Sequence, residues 1–286
     1  YFVLEYYPSD LDRVIKLKRQ KIFTEEQRQK TFTEKQIKRI IGSLLRGLKF
    51  MHSAGIIHRD LKPSNIGIDN NTNVAILDFG LSRALSNGIK TGYVATRWWR
   101  APEVYVNWGR YNDRLDIWSV GCIMAELIQL KPIFPGTDHI DLLNRIFNII
   151  GTPDLATLNG TYTEEEINYI GGFLPRTKID FNQKFGFKYQ PAEADPISDV
   201  SPLAIELLDR LLTFDPRKRP TAEEALAHPF FSDWYDSMDE PSMEPVIDEH
   251  QDANHSTAQW KSLIWSMIEN FQPPDWIDQD IDGDME

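Results

Sequence analysis

Asp60, Lys62 and Asn65 lie within one stretch of six residues, and a second carboxylate, Asp78, follows further along the chain. A carboxylate such as Asp60 can orient an attacking hydroxyl and accept its proton. A lysine two residues away can place a positive charge beside a moving phosphoryl group. Asn65 and Asp78 supply the oxygen ligands that Mg²⁺ prefers, and two are sufficient because this ion keeps several waters. These residue types at this spacing could therefore support phosphoryl transfer.

Three motifs carry a resemblance to a known family. In chain order they are IHRDLKPSN at residues 57–65, DFG at residues 78–80 and APE at residues 101–103. They resemble the catalytic loop, the metal-binding loop and the end of the activation segment of a eukaryotic protein kinase. The resemblance implies ATP and Mg²⁺ as cofactors, Asp60, Lys62 and Asn65 as catalytic residues, and Asn65 and Asp78 as metal ligands.

The same resemblance assigns structural roles to four further residues. His58 is expected to pack the catalytic loop rather than bind a metal. Asp116 belongs to a segment that is apolar nearly all round, and it is expected to hold the backbone of that loop. Glu103 is expected to pair with Arg219 of the segment DPRKRP at residues 215–220.

Thr91, Gly92 and Tyr93 precede the segment VATRWWRAPE at residues 94–103. Together they resemble the dual phosphorylation lip of a mitogen-activated protein kinase, and the central glycine resembles that of the stress-activated branch. An ordinary turn is the alternative interpretation. Each phosphate would add close to two negative charges and need guanidinium partners. The resemblance implies that Arg59 and Arg83 bind the Thr91 phosphate. It implies that Arg97 and Arg100 bind the Tyr93 phosphate.

The first residues resemble the hinge of such a kinase, where ATP binds. Leu4 stands at the gatekeeper position, Glu5 and Tyr7 offer a backbone carbonyl and a backbone N–H, and Asp10 lies near the ribose. The chain opens on Tyr1, and no glycine-rich loop or Val-Ala-x-Lys strand precedes the hinge. We therefore expect this chain to be the remainder of a longer protein. We expect the chain itself to lack the N-terminal β lobe and to hold only the lower half of the ATP site.

The fold class expected from apolar periodicity is α+β and mostly helical, and the resemblance makes it a protein-kinase-like C-terminal lobe with short β-hairpins. Thr33 and Gln36 form a capping-box pattern ahead of a long helix whose apolar face runs over residues 37–48. Strands are predicted near residues 66–69 and 74–77, and a divergent loop over residues 154–199. Further helices are predicted near residues 9–17, 116–130, 140–150, 202–212, 221–227 and 257–271.

The domain organisation follows from these patterns. Residues 1–8 are interpreted as a remnant of the hinge strand, and residues 9–231 as the C-terminal lobe of the kinase. That lobe contains an exposed insert at residues 19–32, the activation segment at residues 78–103 and a region typical of mitogen-activated kinases at residues 134–200. Residues 232–286 form an acidic C-terminal extension with a helix near residues 257–271.

Charge is distributed unevenly along the chain, whose formal net charge is −12. Residues 232–286 hold 15 acidic residues and one basic residue, which leaves the preceding 231 residues at +2. One interpretation is a solvated, partly disordered extension, and the other is a docking surface for basic peptides. By resemblance, Asp236, Asp239 and Glu240 belong to the docking patch, and Asn70 and Asn71 occupy a second docking position.

Composition excludes several classes of protein. Cys122 is the one cysteine, so an intrachain disulfide framework is excluded and a reducing compartment is expected. The longest apolar stretch, residues 117–130, contains Ser119, Glu126 and Gln129 and cannot serve as a membrane span. The basic segment at residues 13–39 could be a nuclear address, but we favour a solvated helical face and loop. We expect no direct contact with nucleic acid or membrane.

Two functions remain in consideration. The first is a serine/threonine kinase of the mitogen-activated cascade that phosphorylates Ser/Thr-Pro sites in stress signalling, in cytoplasm and nucleus. Its expected partners are an upstream dual-specificity kinase, protein substrates, phosphatases and proteins with docking motifs. The second is a catalytically inactive fragment that acts as a docking or sequestering module. The retained catalytic residues favour the first, although without the N-terminal lobe we expect this chain alone to be inactive.

Overall fold

The computed structural model describes residues 6–20, 32–84, 97–106, 112–186, 200–234, 242–246, 250 and 253–272. The chain divides into two units, Tyr1–Val246 and Ile247–Glu286. The strands are β1 (Ser9–Asp10), β2 (Ile56–Ile57), β3 (Ile66–Ile68), β4 (Val74–Ile76) and β5 (Arg83–Ala84). The helices are α1 (Leu11–Gln20), α2 (Glu34–Ser53), α3 (Glu103–Val106), α4 (Arg114–Gln129), α5 (His139–Ile150), α6 (Glu164–Gly171), α7 (Phe181–Phe185), α8 (Pro202–Leu211), α9 (Ala222–Leu226) and α10 (Thr257–Glu269).

The mostly helical α+β fold predicted from the sequence is confirmed. Within the described ranges, none of the helices is long and apolar enough to cross a membrane.

The core of the first unit is built around α2 and α4, which pack against each other. Helix α2 begins with the predicted capping box, in which Thr33 and Gln36 satisfy each other's backbone N–H groups. Its buried side chains recur at three- and four-residue steps along one face. Helix α4 is buried over almost its whole length, as its uniform apolarity indicates.

Two small antiparallel sheets lie beside these helices. One has the strand order β1-β3-β4, in which Ser9 pairs with Ile68 and Ile66 pairs with Ile76. The turn between β3 and β4 is held by the Asp69 carboxylate, whose Oδ1 accepts from the backbone N–H of Asn73 at 2.8 Å. In the other sheet β2 pairs with β5. Both sheets therefore hold the segments that precede and follow residues 58–65.

The helix expected near residues 9–17 begins later and ends later than predicted. Ser9 and Asp10 form β1, and α1 extends from Leu11 to Gln20. The Asp10 carboxylate accepts from the backbone N–H of Arg13 at 2.9 Å, which satisfies one N–H of the first helical turn. Helix α1 therefore includes the first two residues assigned to the insert.

The prediction of an exposed insert at residues 19–32 is wrong at its last residue. Phe32 is 5% exposed and belongs to the hydrophobic core. The Lys18 ammonium lies 4.6 Å from the centre of the Phe32 ring. Burial of an aromatic side chain is favourable enough to hold this position against the core despite its polar neighbours in sequence. Residues 21–31 lie outside the described ranges.

The segment at residues 154–199, predicted as a loop, contains two helices. Helix α6 begins with a capping box between Thr163 and Glu166. Helix α7 is one short turn that buries Phe181 and Phe185. Residues 187–199 are outside the described part of the chain.

The second unit contains α10, whose capping box joins Ser256 and Gln259. The ring of Trp260 lies edge-on to the ring of His255, with 4.9 Å between their centres. The helix predicted near residues 257–271 is present, and it ends at Glu269.

Candidate functional site

The loop after β2 brings Asp60, Lys62 and Asn65 together. The Lys62 ammonium lies 2.6 Å from Oδ2 of Asp60. The Asn65 side chain donates from Nδ2 to the Asp60 carbonyl at 2.9 Å and to Asp60 Oδ2 at 3.2 Å. A short helical turn at Pro63–Asn65 directs the asparagine back toward the carboxylate. The three side chains that the sequence assigned to catalysis therefore form one cluster.

Asp116 on α4 binds the backbone of this loop. Its Oδ2 accepts from the backbone N–H of His58 and its Oδ1 from that of Arg59, both at 2.9 Å. Arg59 has a φ of 68°, in the left-handed region that non-glycine residues rarely adopt. The backbone N–H groups of Arg59 and of the residue before it both donate to the buried carboxylate. Such bonds can hold Arg59 in place, because the surrounding structure must over-determine a strained backbone.

His52 is a residue of this network that sequence reasoning missed. Its Nε2 lies 3.0 Å from Oδ2 of Asp116, and its side chain is largely buried at the end of α2. No motif marked it, because the contact joins the end of one helix to the start of another. The position of a histidine on the last turn of a helix that precedes the loop was the only available signal.

Asp78, the second proposed metal ligand, lies on a segment that is tied to the catalytic loop. His58 Nε2 lies 3.0 Å from the Leu77 carbonyl, and the Leu77 N–H donates to the Asn65 carbonyl at 2.9 Å. Asp78 is exposed, has a φ of 62°, and accepts from the Gly80 N–H at 3.2 Å. His58 is fully buried, with its ring edge-on to that of Phe79, which agrees with a packing role.

The donor set suits magnesium. Because Nδ2 of Asn65 donates to Asp60, Oδ1 is the side-chain atom left to act as an oxygen ligand. The exposed Asp78 carboxylate supplies the second oxygen ligand. Magnesium commonly binds through one or two protein oxygens together with waters and substrate phosphates. Within the described ranges, no cluster of three or more His, Cys, Asp or Glu side chains offers an all-protein metal site.

Two of the four hinge residues lie in described segments. The Tyr7 ring lies so close to Gly67 that a Cβ at residue 67 would be 2.7 Å from Cγ of the tyrosine. Asp10 pairs with the same glycine across β1 and β3. Tyr7 and Asp10 are therefore anchored on the sheet beside the catalytic loop. Leu4 and Glu5 lie outside the described residues.

The four arginines proposed to bind phosphates occur in two places. Arg59 donates from Nε to the Leu81 carbonyl at 2.6 Å, and Arg83 lies in β5 opposite Ile57. Arg97 and Arg100 belong to one turn, in which the Arg100 N–H donates to the Arg97 carbonyl at 3.1 Å. The acceptors Thr91 and Tyr93 are outside the described part of the chain, so their contacts with these arginines stay predictions.

Glu103 and Arg219 form a buried two-point ion pair. Nη1 of Arg219 donates to Oε1 of Glu103 at 2.7 Å, and Nη2 donates to Oε2 at 3.0 Å. The Arg219 side chain is 0% exposed and the Glu103 side chain is 1% exposed. The guanidinium also donates to the carbonyls of Thr213, Phe214 and Arg114. This arrangement ties the start of α3 to the loop between α8 and α9.

The docking residues are described only in part. Asn70 and Asn71 lie at the exposed turn between β3 and β4. Asp236, Asp239 and Glu240 fall outside the described segments, so the proposed acidic patch has no geometry here.

Comparison with known proteins gives matches over most of the chain. The protein kinase domain model matches residues 1–231. Mitogen-activated protein kinase pmk-1 of Caenorhabditis elegans is 42% identical over 273 residues, which are 95% of this chain and 66% of the relative. Mitogen-activated protein kinase p38a of Drosophila melanogaster is 40% identical over 96% of this chain and 68% of the relative. Human mitogen-activated protein kinase 12 is 38% identical over 96% of this chain and 68% of the relative.

The chain thus spans about two thirds of the length of these relatives. The kinase match begins at residue 1. The expectation that the N-terminal β lobe is absent is not supported by this match and stays a prediction.

Proposed function

The chain belongs to the protein kinase family and to its p38-type mitogen-activated members, and from this premise we propose that it phosphorylates serine or threonine followed by proline. The proposed donor is ATP with magnesium, which proteins of this family generally use. The observation that carries the proposal is the cluster of Asp60, Lys62 and Asn65, with the lysine ammonium 2.6 Å from the aspartate.

Asp60 acts on the attacking hydroxyl in this proposal. Its carboxylate would orient the hydroxyl of the protein substrate and accept its proton as the new O–P bond forms and the bond from the transferred phosphoryl group to the leaving ADP breaks. The Lys62 ammonium, 2.6 Å from that same carboxylate, would counter the negative charge of the transition state. MgATP supplies the phosphoryl group when bound, and Asn65 and Asp78 would hold the magnesium.

The scaffold around these residues supports precise placement. Asp116 fixes the backbone just before Asp60, and Asn65 fixes the Asp60 carboxylate itself. Orientation of this kind is a large part of phosphoryl-transfer catalysis, because there is little covalent chemistry for the protein to perform.

Regulation in this proposal follows from phosphorylation of Thr91 and Tyr93 by an upstream dual-specificity kinase. Each phosphate would bind a pair of arginines and order the activation segment. Arg59 lies next to Asp60 in sequence and contacts the Leu81 carbonyl, so a phosphate bound there would act on the catalytic loop directly. Basic docking motifs of activators, substrates and phosphatases would bind the acidic C-terminal extension. The proposed locations are cytoplasm and nucleus, and the proposed pathway is stress signalling.

Phosphate transfer by the full-length protein tests the proposal. After treatment with an activating kinase, the protein is expected to phosphorylate a Ser-Pro peptide from labelled MgATP far faster than the matched Ser-Ala peptide. Asp60→Asn should lower turnover about 100-fold or more, because a general base is typically worth that much, and should leave ATP affinity unchanged.

Asp233→Asn is the matched control, since Asp233 pairs with Lys38 on the surface and its side chain is 72% exposed. Turnover in Asp60→Asn equal to that of the control would remove Asp60 from its role. Loss of ATP binding in Asp60→Asn would show a structural defect instead. Equal rates on the two peptides would contradict the preference for proline.

A further inference from the structure

A cavity of about 620 Å³ opens beside the catalytic loop. It is lined by Lys62 and Ser64 of that loop, by residues of α1 and by residues of the segment 130–135. Because Lys62 contacts Asp60, the cavity adjoins the place where the acceptor hydroxyl must lie. A side chain close to the phosphorylated residue of a bound protein substrate could enter it.

The walls of the cavity are aromatic and apolar. Trp98 and Trp99 line it, and the polar atoms of both indoles are already used. Nε1 of Trp98 donates to the Gly136 carbonyl and Nε1 of Trp99 donates to Glu126, both at 2.9 Å. Trp99 is 8% exposed and belongs to the hydrophobic core. The half-buried Trp98 ring, together with Pro132 and Pro135, is therefore the surface left to pack against the aliphatic part of an entering side chain.

The rim of the cavity carries an excess of positive charge. Lys16 is neutralised by Asp12 and Lys62 by Asp60, each at 2.6 Å. Arg19 and Lys131 also line the cavity and are exposed. In the described part of the chain, neither of these two cations is within ion-pair distance of a carboxylate. Their exposure lets them contact an anion that enters from solvent.

Glu126 is the remaining charged residue that lines the cavity. It is 3% exposed and accepts one hydrogen bond, from Trp99, through Oε2. Its Oε1 has no hydrogen-bond partner among the described residues. Burial raises the pKa of this carboxyl to about 7. Near neutral pH a large share of the molecules carries it uncharged, which weakens its repulsion of an anion and lets it donate a hydrogen bond.

We propose that this cavity is a specificity subsite for a carboxylate side chain of the protein substrate, near the phosphorylated residue. Arg19 and Lys131 select the negative charge at the rim, and Trp98 contacts the aliphatic stem. The inference rests on the proposed kinase function, because that function brings a peptide to the catalytic loop.

Peptide binding tests the subsite without requiring phosphate transfer. The probes are fluorescein-labelled Ser-Pro peptides in which a single position is varied. That position carries Glu, Gln or Lys and lies between four residues before the serine and four residues after it. Fluorescence anisotropy at low ionic strength gives their Kd for the full-length protein. At one position Glu should bind about 1.5- to 5-fold more tightly than Gln, the range typical of exposed charge pairs.

The decisive variant is Arg19→Glu with Lys131→Glu, which should abolish the preference for Glu and favour Lys at that position. The matched control is Lys35→Glu with Lys218→Glu, two exposed lysines outside the cavity lining that give the same change in net charge. It should retain the preference. Equal binding of Glu and Gln, a preference unchanged in the rim variant, or no binding of any peptide would overturn the subsite.

A parallel assay of phosphate transfer separates the two proposals. A preference that follows the rim charges without any phosphate transfer leaves the subsite standing and contradicts the kinase function. Transfer to a Ser-Pro peptide with no preference at any position supports the kinase function and overturns the subsite.

Discussion

Glu126 places an ionisable group inside α4, where its side chain is 3% exposed. Burial raises the pKa of the carboxyl from 4.5 to about 7. The folded state therefore holds this proton more tightly than the unfolded state does. The corresponding stability is fully present below about pH 4.5 and is lost as the pH rises through about 7.

Glu126→Gln should remove this pH dependence. The amide oxygen can still accept from Trp99, but it carries no charge at any pH. At pH 8 the variant should be more stable than the parent by on the order of 3 kcal/mol, since each pKa unit is worth about 1.4 kcal/mol. Urea unfolding at pH 5 and pH 8 measures the difference. The exposed Glu269→Gln is the control, and equal pH dependence in Glu126→Gln and the parent would contradict the prediction.

The side chains of the candidate site differ in how far sequence could place them. Asp60, Lys62 and Asn65 could be grouped because they are close in sequence and a single turn brings them into contact. His52 could not, because its contact with Asp116 depends on how α2 packs against α4. Asp116 was assigned its role by resemblance alone, and the structure shows both of its oxygens on the loop backbone.

The helices were predictable where local signals agreed. Helix α2 combines a capping box with a long apolar face, and its predicted position matches the structure. Helix α6 also begins with a capping box, but its few apolar residues gave no period. Helix α7 is five residues long and forms because Phe181 and Phe185 pack in the core near α8. Tertiary packing of this kind leaves no periodic pattern to detect.

The ion pair of Glu103 with Arg219 connects elements that are distant in sequence, and its removal should destabilise the first unit strongly. Arg219→Ala would leave the buried Glu103 carboxylate and three carbonyls without their donor. Breaking one partner of a buried pair typically costs about 3–5 kcal/mol. The shift of the urea midpoint measures the effect.

Arg210→Ala provides the matched comparison, because Arg210 pairs with Glu206 on an exposed helix face. Exposed pairs of this kind contribute about 0.3–0.5 kcal/mol. If the two variants lost similar stability, the buried pair would not have the structural role assigned to it.

The whole molecule combines a nearly neutral body with a strongly acidic extension, and the formal net charge is −12. This asymmetry was evident from the sequence because it needs only a count of charges. The pairing of β1 with β3 and of β2 with β5 was not, because two-residue strands carry no alternating pattern. Their partners are fixed by the packing of the long helices beside them.

Basic docking peptides should bind the acidic extension with strong salt dependence. Asp236→Asn with Asp239→Asn should weaken binding several-fold at about 0.01 M ionic strength and little above about 0.15 M, because screening shortens the reach of exposed charges. Titration calorimetry at the two ionic strengths measures this. Asp275→Asn with Asp278→Asn gives the same change in net charge elsewhere in the extension, and an equal loss in both variants would argue against a localised docking patch.

Capping boxes begin α2, α6, α9 and α10, and each joins two side chains only three residues apart. Glu103 and Arg219, by contrast, are 116 residues apart. Short-range contacts require little loop closure, whereas distant ones require much. We therefore expect newly synthesised chain to set the starting points of these helices as each segment appears. The ion pair that joins α3 to the loop after α8 can form only after residue 219 has been synthesised.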